Sequence, residues 1–148
     1  PIKTQIKSLE ALADRGLTRH IGVSNFEGQI LVEALASAKK HQIVVDQVKY
    51  SVLDKKVEND TLLLCIENKV TVQAYTPLER GAILGNKIIA DVAKKYRKTV
   101  AQVALNYLIS IPMVTAIPKS ERKERIYEFW GALGWRLSQE DLKVLEAL

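Results

Sequence analysis

The chain of 148 residues has one cysteine, one methionine, two histidines and four prolines. With Cys65 as the only thiol, an intramolecular disulfide is excluded and the chain suits a reducing compartment. His20, at the start of a candidate strand, and His41, after a candidate helix, lack metal-ligand spacing, so no metal site is expected. No apolar run approaches the roughly 18 residues of a membrane span. Aromatic residues make up 6% of the chain and do not interleave with basic ones, which argues against nucleic-acid binding. The first residue is Pro1 with no basic-then-apolar leader after it, so no signal peptide is expected and the cytoplasm is the expected compartment. An opening residue other than Met points to processing or to a fragment.

What is present is an ordinary globular balance, 47% hydrophobic and 26% charged, of a length that suits one domain over residues 1–148. The net charge of +5 is scattered except from Lys119 to Arg125, a concentration that fits a single phosphate better than an extended polyanion. Four β-rich runs read as strands: Arg19–Val23, Ile43–Tyr50, Val70–Tyr75 and Val114–Ile117. Between them lie stripes of helical period: Leu31, Leu35 and Ala38; Leu62, Leu63 and Ile66; Ile88, Ile89, Val92, Ala93 and Tyr96. Helices are also expected over Ile6–Arg15, closed by Gly16, and over Thr99–Ser110, Arg122–Leu133 and Ser138–Leu148. Alternating strands and helices predict an α/β fold with four parallel strands followed by C-terminal helices.

Reciprocal capping is expected where a Ser or Thr precedes an acid or amide by three residues: Ser24 with Glu27, Thr76 with Glu79, Thr99 with Gln102, and Ser138 with Asp141. Cys65 reads as a buried, inert thiol, and Trp130 and Trp135 as packing for the terminal helices. An open sheet of four strands leaves two strand edges and a partly apolar face, so self-association is expected.

Three strings stand at strand ends: Ile21-Gly22-Val23-Ser24-Asn25-Phe26, Gln73-Ala74-Tyr75-Thr76-Pro77-Leu78 and Ile117-Pro118-Lys119-Ser120, with Arg125 following. They collect polar groups on one rim of a parallel sheet, where α/β folds bind ligands. Taken alone, Ser24 and Asn25 are a cap and a turn residue, Gln47 is equally a hydrogen-bonded core amide, and Tyr75 is a buried ring before a capped helix. The run Lys119 to Arg125 can likewise be a solvated helix start.

In this order the strings resemble the C-terminal half of the aldo-keto reductases, (β/α)8 barrels that reduce carbonyls with a nicotinamide cofactor, usually the 2′-phosphorylated form. A full barrel needs about 250 residues, so the resemblance implies a partial, half TIM barrel: a single truncated domain. It implies NADP(H) as cofactor, with Ser24, Asn25 and Gln47 on the carboxamide and Tyr75 stacked on the nicotinamide ring. Thr76, Pro77 and Leu78 would open a helix toward the pyrophosphate, Lys119, Ser120 and Arg125 would grip the 2′-phosphate, and Glu128 would contact adenine. Phe129 stands where the family commonly has Asn. The family's strand pattern Asn-Gln-Val-Glu-Tyr here carries Asp46 and Lys49, and Lys49 would suit an anionic ligand or solvent.

The family's catalytic Asp, Tyr, Lys and His lie in the first half of its barrel, and no stretch here matches those segments. Lys49 and Tyr50 do not replace them, because neighbouring strand residues point to opposite faces. The expected function is therefore the cofactor-binding portion of an NADPH-dependent reductase that is inactive alone. A small carbonyl substrate would enter only with a complementing N-terminal half, and the cofactor either binds this chain alone or needs that half as well. A non-catalytic nucleotide-binding module and a purely structural half-barrel oligomer are the alternatives.

Overall fold

Alternate burial sets the central strand. Along β2 (Ile43–Lys49) the side chains of Ile43, Asp46 and Val48 are fully buried, as is Tyr50 just beyond it, while Val45, Gln47 and Lys49 are only half-buried. The computed structural model describes residues 1–148. Its strands are β1 (Ile21–Ser24), β2, β3 (Thr71–Tyr75) and β4 (Val114–Ala116), in the order β1-β2-β3-β4. The helices are α1 (Ile2–Asp14), α2 (Gln29–Ser37), α3 (Thr61–Glu67), α4 (Lys87–Tyr96), α5 (Val100–Ser110), α6 (Lys123–Trp130) and α7 (Gln139–Glu146), with 3-10 turns at Lys56–Asn59 and Glu79–Gly85. Four parallel strands alternating with helices, as the sequence predicts, make this an α/β, partial-barrel fold. No helix is long and apolar enough to cross a membrane. The chain forms two compact units, Pro1–Val48 with Lys56–Gln73, and Lys49–Lys55 with Ala74–Leu148.

In the first unit β1 runs parallel to β2, with Gly22 beside Val45 and Ser24 beside Gln47. A Cβ at Gly22 would collide with Val45 Cγ1, so the glycine allows the close approach of these strands. Helix α1 ends as expected at Gly16, whose φ is 71°. The Gly16 N–H donates to the Ala13 carbonyl at 2.9 Å and the Leu17 N–H to that of Leu12 at 3.1 Å, a complete C-terminal closure. Glu10 is an unforeseen buried acid. One of its oxygens accepts from the backbone N–H groups of Lys39, Lys40 and His41 at 2.8, 2.6 and 3.1 Å, and these bonds, that of Lys40 foremost, hold its carboxyl below the usual range.

Helix α3 departs from its expected stripe: Thr61 and Cys65 are buried and Leu63 is exposed. Thr61 explains the rotation, since its hydroxyl accepts from the Gly28 N–H at 3.0 Å and donates to Asp60 at 2.7 Å. That anchor turns the i, i+4 pair Thr61 and Cys65 inward. Burial, and secondarily the Asp46 charge, pushes the Cys65 thiol up to about 12, so it is as inert as expected.

In the second unit α5 is the core, burying every residue from Ala101 to Leu108 except Gln102. Its N-terminus carries the expected capping box between Thr99 and Gln102. Helix α4 buries Ile89, Val92 and Ala93 and leaves Ile88 exposed. Helix α7 starts at the expected cap, with the Asp141 N–H donating to Ser138 Oγ at 3.1 Å. The Asp141 carboxylate also takes Lys95 at 2.6 Å and the Tyr96 hydroxyl at 2.7 Å.

Asn106, fully buried in α5, organises the connection from α6 to α7. Its amide nitrogen donates to the carbonyls of Ala132 at 2.9 Å and Trp135 at 3.0 Å, and its oxygen accepts from the Leu137 N–H at 3.2 Å. Asn106→Ala would strand three buried backbone groups and is expected to cost about 3 kcal/mol. Chemical denaturation measures this, and a loss within the roughly 0.5 kcal/mol typical of surface changes would contradict the assigned role.

Candidate functional site

In the first unit the end of β1 is tied to β2 through one carbonyl. The Ser24 hydroxyl and the Asn25 N–H both donate to the Gln47 carbonyl at 2.9 Å. The expected cap of Ser24 with Glu27 does not form, because Ser24 spends its hydroxyl on that carbonyl and α2 begins only after Gly28. Asn25 takes a left-handed φ of 57°, which Asn tolerates better than most side chains. The Gln47 amide donates to Gln73 Oε1 at 2.7 Å, so its strand position is stabilised within the protein. Gln73 itself was not foreseen as a partner.

Asp46 sits on the other face of β2, where the family's commonest residue is Asn. It is fully buried, one oxygen accepts only a long bond of 3.5 Å from the Phe26 N–H, and Oδ2 has no partner. Burial pushes its carboxyl from 3.8 up to about 6.

In the second unit Lys49 is not available to an anion. Its ammonium lies 2.8 Å from Asp54 and 3.3 Å from Glu79, and these partners, Asp54 first, hold it above the ordinary lysine range. Tyr75 closes β3, its carbonyl accepting from the Tyr50 N–H at 3.3 Å. Beyond it the expected capped helix is absent. Thr76 has a φ of 54°, and Glu79, the expected capping partner, instead accepts from the Ser51 hydroxyl at 2.8 Å. With its cap taken away the segment folds as a 3-10 turn whose residues Glu79, Arg80 and Gly81 are left-handed, with φ of 46°, 53° and 97°.

This turn forms one wall of a cleft of about 430 Å³, within the usual range of ligand sites. Thr76, Pro77 and Leu78 line it with Arg80, and so do Lys119, Arg125, Glu128 and Phe129. Five of the sequence's candidates beyond Tyr75 and the first unit's three are thus brought together with Arg125, and Ser120 is left out. Its hydroxyl accepts from the Arg122 N–H at 3.1 Å and lies 3.4 Å from the Arg122 carbonyl, closing the turn that opens α6. Arg80 is the residue that sequence reasoning missed; its signal was a cation two places after Leu78 and just before a glycine. Because α6 turns Arg125, Glu128 and Phe129 to the cleft, Ile126, Tyr127 and Trp130 are left exposed, Trp130 by 74%. The expected packing holds only for Trp135, whose ring lies 5.3 Å from that of Tyr96.

The Aldo/keto reductase family model matches residues 1–148. The chain belongs to this family. It is 35% identical to a glyoxal reductase of Bacillus subtilis over 142 residues, which are 96% of this chain and 50% of that protein. Among solved structures it matches a thermostable aldo-keto reductase in complex with the inhibitor epalrestat, at a TM-score of 0.94 and 36% identity over 99% of this chain and 54% of that one. It also matches an aldo/keto reductase of Klebsiella pneumoniae in complex with NADP and acetate, at a TM-score of 0.91 and 29% identity over 99% and 54% of the two chains. This aldo-keto reductase chain thus spans about half the length of the relatives it matches.

Asp46 gives the chain a distinct pH dependence. A carboxyl raised from 3.8 to about 6 takes up a proton on folding between those values, so its contribution to stability falls as pH rises through that window and is level above it. Asp46→Asn is therefore expected to stabilise the protein at pH 7.5 by up to about 3 kcal/mol and to have little effect near pH 4. Thermal or urea denaturation at the two pH values checks this, and an equal gain at both would contradict it.

Proposed function

We propose that these residues form the nucleotide-gripping portion of an NADPH-dependent carbonyl reductase, within a single truncated domain over 1–148 that acts in the cytoplasm. The observation that carries the proposal is the convergence of Arg80, Lys119 and Arg125 on one cleft, facing only Glu128 among acids there. Three cations beside a flat Phe129 ring suit a phosphate attached to an aromatic base, and an Arg fork suits a dianion better than a single point charge. The cleft accommodates the adenosine-phosphate end of the dinucleotide. In the second unit Tyr75 is assigned to the nicotinamide ring, Ser120 to the turn that presents Lys119, and Thr76, Pro77 and Leu78 to the pyrophosphate; for Ser24, Asn25 and Gln47 of the first unit the carboxamide role is the one that the family resemblance implies.

Bound NADPH would supply the hydride. The proton for the carbonyl oxygen has no donor among these residues: Tyr50 is fully buried, and Lys49 is paired with two carboxylates. We assign that proton to residues outside these 148, and carbonyl turnover to a protein that contains both parts. Self-association draws support from the exposed Ile126, Tyr127 and Trp130 of α6.

A fluorescence titration with NADPH and NADH tests the proposal. The chain is expected to bind NADPH more tightly than NADH and to give no NADPH-dependent aldehyde reduction when alone. Arg125→Ala is expected to weaken NADPH binding by about tenfold or more, the scale of one charge-assisted hydrogen bond, while leaving NADH almost unchanged. Equal affinity for the two nucleotides contradicts the phosphate assignment, and aldehyde turnover by the chain alone contradicts the assignment of the proton.

A further inference from the structure

The wall of the cleft carries two adjacent residues of opposite charge, and the structure treats them differently. Arg80 lines the cleft, whereas the neighbouring Glu79 does not. Glu79 Oε1 accepts from the Ser51 hydroxyl at 2.8 Å and Oε2 lies 3.3 Å from the Lys49 ammonium. Ser51 is a firm anchor: it is fully buried, and its oxygen also receives the N–H groups of Leu53 at 3.2 Å and Asp54 at 2.9 Å. Lys49 is steadied in turn by Asp54 at 2.8 Å.

The backbone between these groups is one that side chains disfavour. Glu79 and Arg80 are both left-handed, with φ of 46° and 53°, and non-glycine residues stay in that region only where their surroundings determine it. Within the turn the Glu79 N–H donates to the Thr76 carbonyl at 3.0 Å and the Gly81 N–H to the Leu78 carbonyl at 2.7 Å.

We propose that Glu79 is a positioning residue and Lys49 its counter-ion: the carboxylate, clamped between Ser51 and Lys49, holds the left-handed turn that sets Arg80 in the cleft. The same clamp pairs the turn's only acid with a cation and holds it out of the cleft lining. Lys49, whose charge reverses that of the family's common Glu, thereby acts on nucleotide binding without touching the nucleotide. The functional consequence rests on the nucleotide assignment above, but the clamp is a property of the free protein.

The test uses the full chain with Glu79→Gln, Lys49→Met and the double variant. In nucleotide-free protein, hydrogen exchange at the Glu79 and Gly81 amides is expected to quicken by about tenfold in each single variant, with the amides of α5 unchanged and the double variant no faster than the singles. NADPH affinity is expected to fall by about tenfold in each single variant, again without addition in the double. The deficit of Lys49→Met shrinks at high salt, because an uncompensated Glu79 charge is screened, while that of Glu79→Gln does not; a merely structural role would not separate the two. Unchanged exchange at Glu79 and Gly81 overturns the clamp, and faster exchange with unaltered NADPH affinity overturns its positioning role. If the parent chain binds no NADPH yet exchange quickens as expected, the nucleotide assignment falls and the clamp stands.

Discussion

The two-residue period of β2 is the constraint on which the rest depends. Successive side chains of a strand point to opposite faces, so seven residues place Val48 in the core, with Tyr50 following, and present Gln47 and Lys49 on the other side. Each of the outward pair then organises a neighbouring segment. The Gln47 side-chain amide bonds Gln73 of β3, and the Lys49 ammonium gathers Asp54 and Glu79. A slip of one residue would exchange these sets and bury a lysine. The same alternation forces Asp46 inward, where it lacks a partner for one oxygen.

Charge around the cleft is arranged by pairing as much as by position. Lys49 is shared between Asp54 and Glu79, and Lys119 stays largely exposed beside Glu121. What remains along the cleft is a cationic set from two segments, a left-handed turn and the start of α6. Such turns direct backbone N–H groups and side chains in ways a helix start cannot. The match at 29 to 36% identity with TM-scores above 0.9 shows a backbone shared across sequences that differ at most positions.

Much of the architecture was legible from the sequence. Runs of β-branched residues located all four strands to within a few residues, and Thr99 with Gln102 and Gly16 marked helix ends whose bonds form as expected, while at Ser138 the Asp141 N–H bond forms but the Ser138 N–H goes to the Tyr96 hydroxyl. Those signals are local: a cap needs only residues three apart, and a strand's faces need only its own period. The ordered strings at the strand ends were enough to indicate the family. The same local signals failed at Ser24 and Thr76, where Gln47 and Ser51, distant in the chain, drew off a hydroxyl and a carboxylate that capping would have used.

Sequence by itself therefore determined the alternating elements, the two faces of β2 and the family, because these follow from short-range periodicity and from strings read in order. Tertiary structure alone decided which groups pair. It turned α3 on Thr61, buried Glu10 against three backbone N–H groups, gave Asn106 its role at the α6 to α7 connection, and brought Arg80 and Arg125 to one cleft. Each of these depends on a hydrogen bond or a close approach between residues far apart in the chain, and no periodicity encodes such a partner.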